Sequence, residues 1–313
     1  MFICGLFIFP MFSKRATYRY WVRLALFTGV VSGIAALGLL VFLIDRQLDI
    51  LLAPARQPIT HTPADLGLPY QEITLTSRDG LKVAGWYIPG SRPQGIILIH
   101  GVNANRMAML PTAALLAEAG FHLLLLDLRG HGESGSSLNS YGYFEALDVQ
   151  TGVDYLAAVP EVEQIGVLGT SLGGATVARA AAEDPRLQAV VIQTSYSSLS
   201  DAVDDAFETM TIFPKRPFAP LIVGLAERRV GITIDQVDSA RDLAALSPRA
   251  VLIIHAANDH LFPLEHARKM YNAAGESKEL WIIEDFGHGD PAITHEDAYR
   301  ARVVGFFEKA LGQ

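Results

Sequence analysis

The sequence predicts an α/β protein: a three-layer α/β/α sandwich around a mostly parallel sheet, antiparallel at its N-terminal end and preceded by one transmembrane helix. Three observations carry this expectation. Short apolar runs recur from residue 95 onward at Gly95–Ile99, His122–Leu126, Gln164–Leu168, Ala189–Ile192, Ala250–Ile254 and Leu280–Ile283. Most lack period-two alternation, as strands buried on both faces do. Helix-compatible stretches fill most of the gaps, at about 107–119, 144–158, 172–183, 264–274 and 292–311, which is the rhythm of a parallel sheet. Ahead of them all, Leu24 to Ile44 is a run of 21 residues without a charge, enough to span a bilayer core as a helix.

The elements follow in chain order. Residues 1–23 form a basic leader in which Lys14, Arg15, Arg19 and Arg23 precede the apolar run, with Tyr18, Tyr20 and Trp21 placed for the membrane interface. Asp45 follows the run directly. The positive-inside rule then puts the N-terminus in the cytoplasm and the rest of the chain on the far side. The run at 24–44 is longer than the apolar stretch of a cleaved signal peptide, and Ala53-Pro54-Ala55 lies well past its end, so an uncleaved anchor is expected. Met11 is an alternative start. Residues 45–70 read as a linker, because Pro54, Pro58, Pro63 and Pro69 disfavour long helices. The catalytic domain is expected over 71–313. It opens with two alternating runs, Gln71–Ser77 and Leu81–Ile88, joined by Arg78-Asp79-Gly80, a hairpin signal. Between about 199 and 245 the strand–helix rhythm breaks, and a short cap is expected. Lys215-Arg216 lies between Pro214 and Pro217 there and reads as a solvated turn.

Composition bounds the function. Residues 1–50 hold five of the 25 Lys/Arg and two of the 33 Asp/Glu, leaving a net charge of −11 on the remainder. Such an acidic body excludes a nucleic-acid partner, whose phosphates demand a basic face. Cys4 is the only cysteine, so no intramolecular disulfide forms. No His-Glu-x-x-His string and no strand-linked Gly-x-Gly-x-x-Gly occurs, so neither a metal nor a cofactor is expected.

The chemistry-bearing residues cluster after the apolar runs, where the carboxyl ends of parallel strands collect active sites. Gly169-Thr170-Ser171-Leu172-Gly173 reads Gly-x-Ser-x-Gly between a strand and a helix, a sharp turn that lifts a serine hydroxyl clear of the sheet. Ser171 is the candidate nucleophile. It needs a base, and His288, flanked by Gly287 and Gly289 just past Leu280–Ile283, is the candidate. His295, His266 and His260 are rivals; the first two fall in expected helices and read as surface residues. The imidazole needs a carboxylate, and Asp259 in the loop after Ala250–Ile254 fits. Asp285 is too near His288 in sequence, Asp290 reads as solvated, and Asp127 belongs to a turn.

Ser171, Asp259 and His288 occur in the chain order of the α/β-hydrolase superfamily, which the sequence resembles over about residues 71–311. Pro63–Leu68 and Asp79–Trp86 are similar to segments of its membrane-anchored single-domain serine hydrolases. The resemblance implies an oxyanion hole from the backbone N–H groups of Val102, after His100-Gly101, and Leu172. It implies that His100 packs locally and that Arg129 and His131 brace a turn. The function expected is hydrolysis of a carboxylic ester or thioester, from a small-molecule or lipid-like substrate, through an acyl-serine intermediate. A serine peptidase or amidase with the same triad is the alternative, and a non-catalytic binding protein a third.

Overall fold

The structure is a computed structural model that describes residues 14–53 and 55–312. Cys4, Met11 and Pro54 lie outside the described residues. The chain divides into two compact units, residues 1–47 and 48–313.

In the first unit the described residues belong to α1, Lys14–Leu52, whose last turn belongs to the second. The helix is apolar around its circumference: Leu26, Phe27, Ile34 and Leu37 are all more than 60% exposed. From Thr17 to Leu52 it is long and apolar enough to cross a membrane, with an 18-residue stretch whose mean hydropathy is 2.4. The helix also runs eight residues into the expected linker. Leu48 and Leu52, one turn apart, are buried at 2% and 3% exposure, which holds the final turn helical. The proline at 54 then disfavours continuation.

The second unit contains an eight-stranded sheet. Its strands are β1 (Gln71–Thr76), β2 (Lys82–Ile88), β3 (Gln94–Ile99), β4 (His122–Leu126), β5 (Gln164–Thr170), β6 (Leu187–Gln193), β7 (Ala250–Ala256) and β8 (Lys278–Ile283). Their spatial order is β1-β2-β4-β3-β5-β6-β7-β8. β2 is antiparallel to both β1 and β4, and every other pairing is parallel. The β1–β2 turn closes at Gly80, whose φ of 85° suits glycine.

Two apolar layers sandwich the sheet. On one face Ile97, Val167, Val190 and Ile253 meet α3 (Glu145–Leu156), α4 (Leu172–Glu183), α7 (Ser239–Ala244) and α8 (Leu264–Ala273). On the other, Ile96, Leu98, Leu168 and Val191 meet α2 (Leu110–Glu118) and the C-terminal helix. That helix starts as α9 (Glu296–Tyr299), passes through a π-helical turn and ends as α10 (Gly305–Leu311). Leaving the layers, α5 (Leu199–Met210) and α6 (Lys215–Val230) pack over the carboxyl edge as the cap. The cap is shorter than the expected 199–245. Leu243 and Leu246 are fully buried in the sandwich, so α7 belongs to the helical layer rather than to the cap. Lys215, between α5 and the body of α6, pairs with the Asp204 carboxylate at 2.9 Å, and both side chains are exposed.

Buried ion pairs tie the carboxyl edge together. The Arg129 guanidinium lies 2.7 Å from the Asp79 carboxylate in the hairpin turn and 2.8 Å from that of Asp148 on α3, and the Arg129 N–H also donates to Asp148. Burial pushes Asp148 up to about 6, against the pull of these bonds. Arg106 reaches Asp127 and lies 4.5 Å over the Trp86 ring. Asp127 also accepts the N–H of Glu133 at 2.9 Å. Arg129 therefore braces the segment after β4, and His131 donates from Nδ1 to the Arg129 carbonyl at 3.0 Å. Arg129→Met leaves the Asp148 carboxylate buried without its cation, an arrangement that costs about 3–5 kcal/mol. Thermal unfolding of the variant should show a large fall in melting temperature.

Candidate active site

The site begins with a backbone that most residues avoid. Ser171, between β5 and α4, has φ 56° and ψ −118°. A serine holds such a conformation only where the surroundings impose it. Two glycines make room: a Cβ at position 169 would lie 2.1 Å from the Gly173 carbonyl oxygen, and one at 173 would lie 2.5 Å from that of Ile99. The turn is pinned from both sides. The Ser171 N–H donates to the Gln193 carbonyl at 2.9 Å, and Ser195 Oγ donates to the Ser171 carbonyl at 2.7 Å.

The structure brings the three expected side chains together across 117 residues of sequence. His288 Nε2 is 3.1 Å from Ser171 Oγ, and His288 Nδ1 is 2.7 Å from Asp259 Oδ2. The other Asp259 oxygen accepts the N–H groups of Leu261 and Phe262, both at 2.9 Å. Burial raises the Asp259 pKa, but the bond to His288 and these two N–H groups outweigh it and hold the carboxyl below its ordinary value. An ionised carboxylate only accepts, so His288 carries its proton on Nδ1, and Nε2 accepts from the serine hydroxyl. The Phe262 ring stands edge-on to His288 at 5.4 Å and limits its swing.

The rival residues are occupied elsewhere. Asp285 pairs with His295 at 3.0 Å, at the start of α9. His260 is exposed, its ring centre 6.4 Å from that of His288. His100 donates from Nδ1 to the Gly101 carbonyl at 2.7 Å and accepts the Leu128 N–H at Nε2 at 3.1 Å. Two expectations need correction. His266 is not a surface residue: it is 2% exposed, on the inner face of α8 with Met270, and takes the Ser197 N–H at 3.1 Å. The four-residue spacing of His266 and Met270 was the available signal. Asp290 is not simply solvated. It accepts from Gln193 Nε2 at 3.1 Å, Thr112 Oγ1 at 3.3 Å and the Ala292 N–H at 3.0 Å. Tyr299 extends this group by donating to Gln193 Oε1 at 2.8 Å. Sequence reading missed the network because its members lie on four separate segments.

The expected oxyanion donors flank the serine. Leu172 is the first residue of α4, where an N–H has no acceptor within the helix and the dipole favours negative charge. The Gly101–Val102 turn abuts Ser171 so closely that a Cβ on Gly101 would lie 3.2 Å from that of the serine. A cavity of about 440 Å³ opens over Ser171 and His288. Among the described residues, no group of three His, Cys, Asp or Glu side chains is arranged to hold a metal ion.

Comparison with known proteins places this architecture. A family model described as the alpha/beta hydrolase fold matches residues 95–221. YfhR of Salmonella typhi is 30% identical over 271 residues, covering 80% of this chain and 84% of YfhR. An uncharacterized membrane protein of Saccharomyces cerevisiae, YNL320W, is 24% identical over 76% of this chain and 79% of its own. Among solved structures, the Pyrococcus furiosus esterase Pf2001 superposes with a TM-score of 0.70 at 24% identity, over 82% of this chain and 99% of the esterase. That likeness shows the shared fold.

Gly173→Ala sets a methyl against the backbone oxygens of Ile99 and His100, which have no side-chain freedom with which to yield. A loss of about 1–3 kcal/mol is expected, read as a lower melting temperature. Asp259→Asn tests the carboxylate through pH. A depressed folded-state pKa gives stability that is present above the ordinary value of about 3.9 and lost as pH falls through the lower folded value. The variant should therefore melt below the parent at pH 7, with the gap closing as the pH drops toward 3.

Proposed function

The chain belongs to the α/β-hydrolase family, and on that premise we propose that it is a membrane-anchored serine hydrolase of carboxylic esters or thioesters. The observation that carries the reading is the unbroken relay from Asp259 through His288 to Ser171, with contacts of 2.7 and 3.1 Å. In this reading Ser171 Oγ attacks the carbonyl carbon while its proton passes to His288 Nε2. Asp259 holds the imidazole in the receiving tautomer and stabilises its charged form. The carbonyl oxygen gains charge in the tetrahedral intermediate, and the N–H groups of Val102 and Leu172 stabilise it. His288 returns the proton to the departing alkoxide or thiolate, leaving an acyl-serine. Water then gives a proton to His288 Nε2 as its oxygen bonds to the acyl carbon, and His288 returns that proton to Ser171 Oγ as the acyl–serine bond breaks and the acid leaves.

Membrane anchoring rests on α1 and on the description of the yeast relative as a membrane protein. Residues 24–44 form the span in this proposal. The basic residues before it support, through the positive-inside rule, a reading with the N-terminus in the cytoplasm and residues 46–313 on the opposite side.

A fluorophosphonate probe should label the parent protein and fail to label Ser171→Ala. The variant should lose about 10⁴–10⁶ in kcat on any ester the parent cleaves, while its melting temperature stays close to the parent's. Equal labelling of the two proteins would dismiss the nucleophile.

A further inference from the structure

We infer that the cavity over Ser171 is an acyl-chain site and that the substrates are membrane-resident esters of medium- to long-chain fatty acids. This rests on the serine-hydrolase reading above and deepens it. The cavity begins at Ser171 and the Gly101–Val102 turn and extends beneath the cap. Its far walls are hydrocarbon: Phe207 on α5, Ile222 and Val230 on α6, and Leu51 and Leu52 from the last turn of α1. Polar side chains at its edge are mostly committed. Glu227 accepts the Ile234 N–H at 2.9 Å, Tyr141 OH donates to the Leu51 carbonyl at 2.9 Å, and Thr211 Oγ1 donates to the Phe213 carbonyl at 3.1 Å. The buried amide nitrogen of Asn139 is the exception. A polar acyl group would surrender its water here without replacement, whereas an alkyl chain gains by leaving water.

Volume sets the length. A methylene takes about the space of a water molecule in the liquid, ~30 Å³. Set against a cavity of about 440 Å³, that is room for at most about fifteen methylenes, and for fewer once the ester carbonyl over Ser171 and the cavity's open side are allowed for. That is a fatty-acyl chain, far larger than an acetyl or butyryl group.

The source of the substrate follows from the chain itself. The last turn of α1 is built into the catalytic unit. The Asn139 N–H donates to the Leu52 carbonyl at 2.7 Å, Tyr141 bonds the Leu51 carbonyl, and Arg229 lies 3.0 Å from the Asp49 carboxylate. Leu51, a wall of the cavity, stands seven residues after Ile44, the end of the proposed span. Even fully extended, that stretch covers at most about 25 Å. An acyl ester dissolved in the same bilayer is thus always within a short reach of the site.

The test uses the full-length protein in phosphatidylcholine vesicles with p-nitrophenyl esters from acetate to palmitate. The expected result is a kcat/KM that climbs by up to about fourfold per buried methylene and levels off near dodecanoate. Ala226→Trp, on the cavity-lining face of α6, should move that optimum to shorter chains. In a second arm the dodecanoate ester is loaded into the enzyme's own vesicles or into separate ones, and turnover should be several-fold faster in the shared vesicles. A flat or falling series in which acetate is still cleaved overturns the acyl site and leaves the hydrolase intact. An optimum unmoved in Ala226→Trp also overturns the acyl site. Equal rates in shared and separate vesicles overturn the membrane source. If no ester is cleaved and the fluorophosphonate does not react, the underlying serine-hydrolase reading falls as well.

Discussion

The left-handed backbone at Ser171 is the constraint around which the candidate site in the second unit is arranged. Holding a serine at φ 56° costs on the order of 1–3 kcal/mol, and the surrounding structure must supply that. It does so with close backbone packing. Gly173 lies against the carbonyls of Ile99 and His100, Gly169 lies against Gly173, and Gly174 lies against Ser195. β3 and β5 are adjacent parallel strands, so the loop carrying Val102 and the turn carrying Ser171 emerge side by side. The strand order changes direction about β3, because β4 lies on its other side. This is the crevice where open α/β sheets place their ligands.

A second set of constraints delivers the histidine. His288 sits in a glycine-flanked loop, which by itself has no reason to hold one position. The residues behind it supply that reason. Asp290 is fastened to Gln193 and Thr112, Gln193 Nε2 and Thr194 Oγ1 lie near the Gly289 carbonyl, and Tyr299 closes the network from the C-terminal helix. Gln193 also offers its main-chain carbonyl to the Ser171 N–H. One residue at the end of β6 therefore touches both the serine turn and the histidine loop. Burial raises the Asp290 pKa, and its three donors only partly offset this.

The cap and the end of α1 define what reaches this chemistry. Tyr196, Leu199, Ala206 and Phe262 form a small apolar cluster under the cap, separate from the two layers that hold the sheet. Phe262 belongs to that cluster and also stands against His288, so the cap's footing and the histidine loop share a side chain. The last turn of α1 contributes two leucines to the same cavity. A segment that composition marks as a membrane element thus ends with its last turn in the second unit.

Much of this was legible in the chain. Sheet residues such as Ile96–Ile99 and Leu123–Leu126 are buried on both faces and so lose period-two alternation, a pattern visible without coordinates. Ser171, Asp259 and His288 were legible because each follows a strand within a short, glycine- or turn-rich loop. The errors share one cause. Leu48 and Leu52 extend α1, Leu243 and Leu246 draw α7 into the sandwich, His266 turns inward and Asp290 finds two side-chain donors in Gln193 and Thr112, all through partners remote in sequence. Local pattern determines which segments become strands and helices, because period and turn chemistry act over a few residues. Only the tertiary structure decides which side chains meet, how large the space over Ser171 is and which walls enclose it, because those depend on distances between segments that the order of residues does not encode locally.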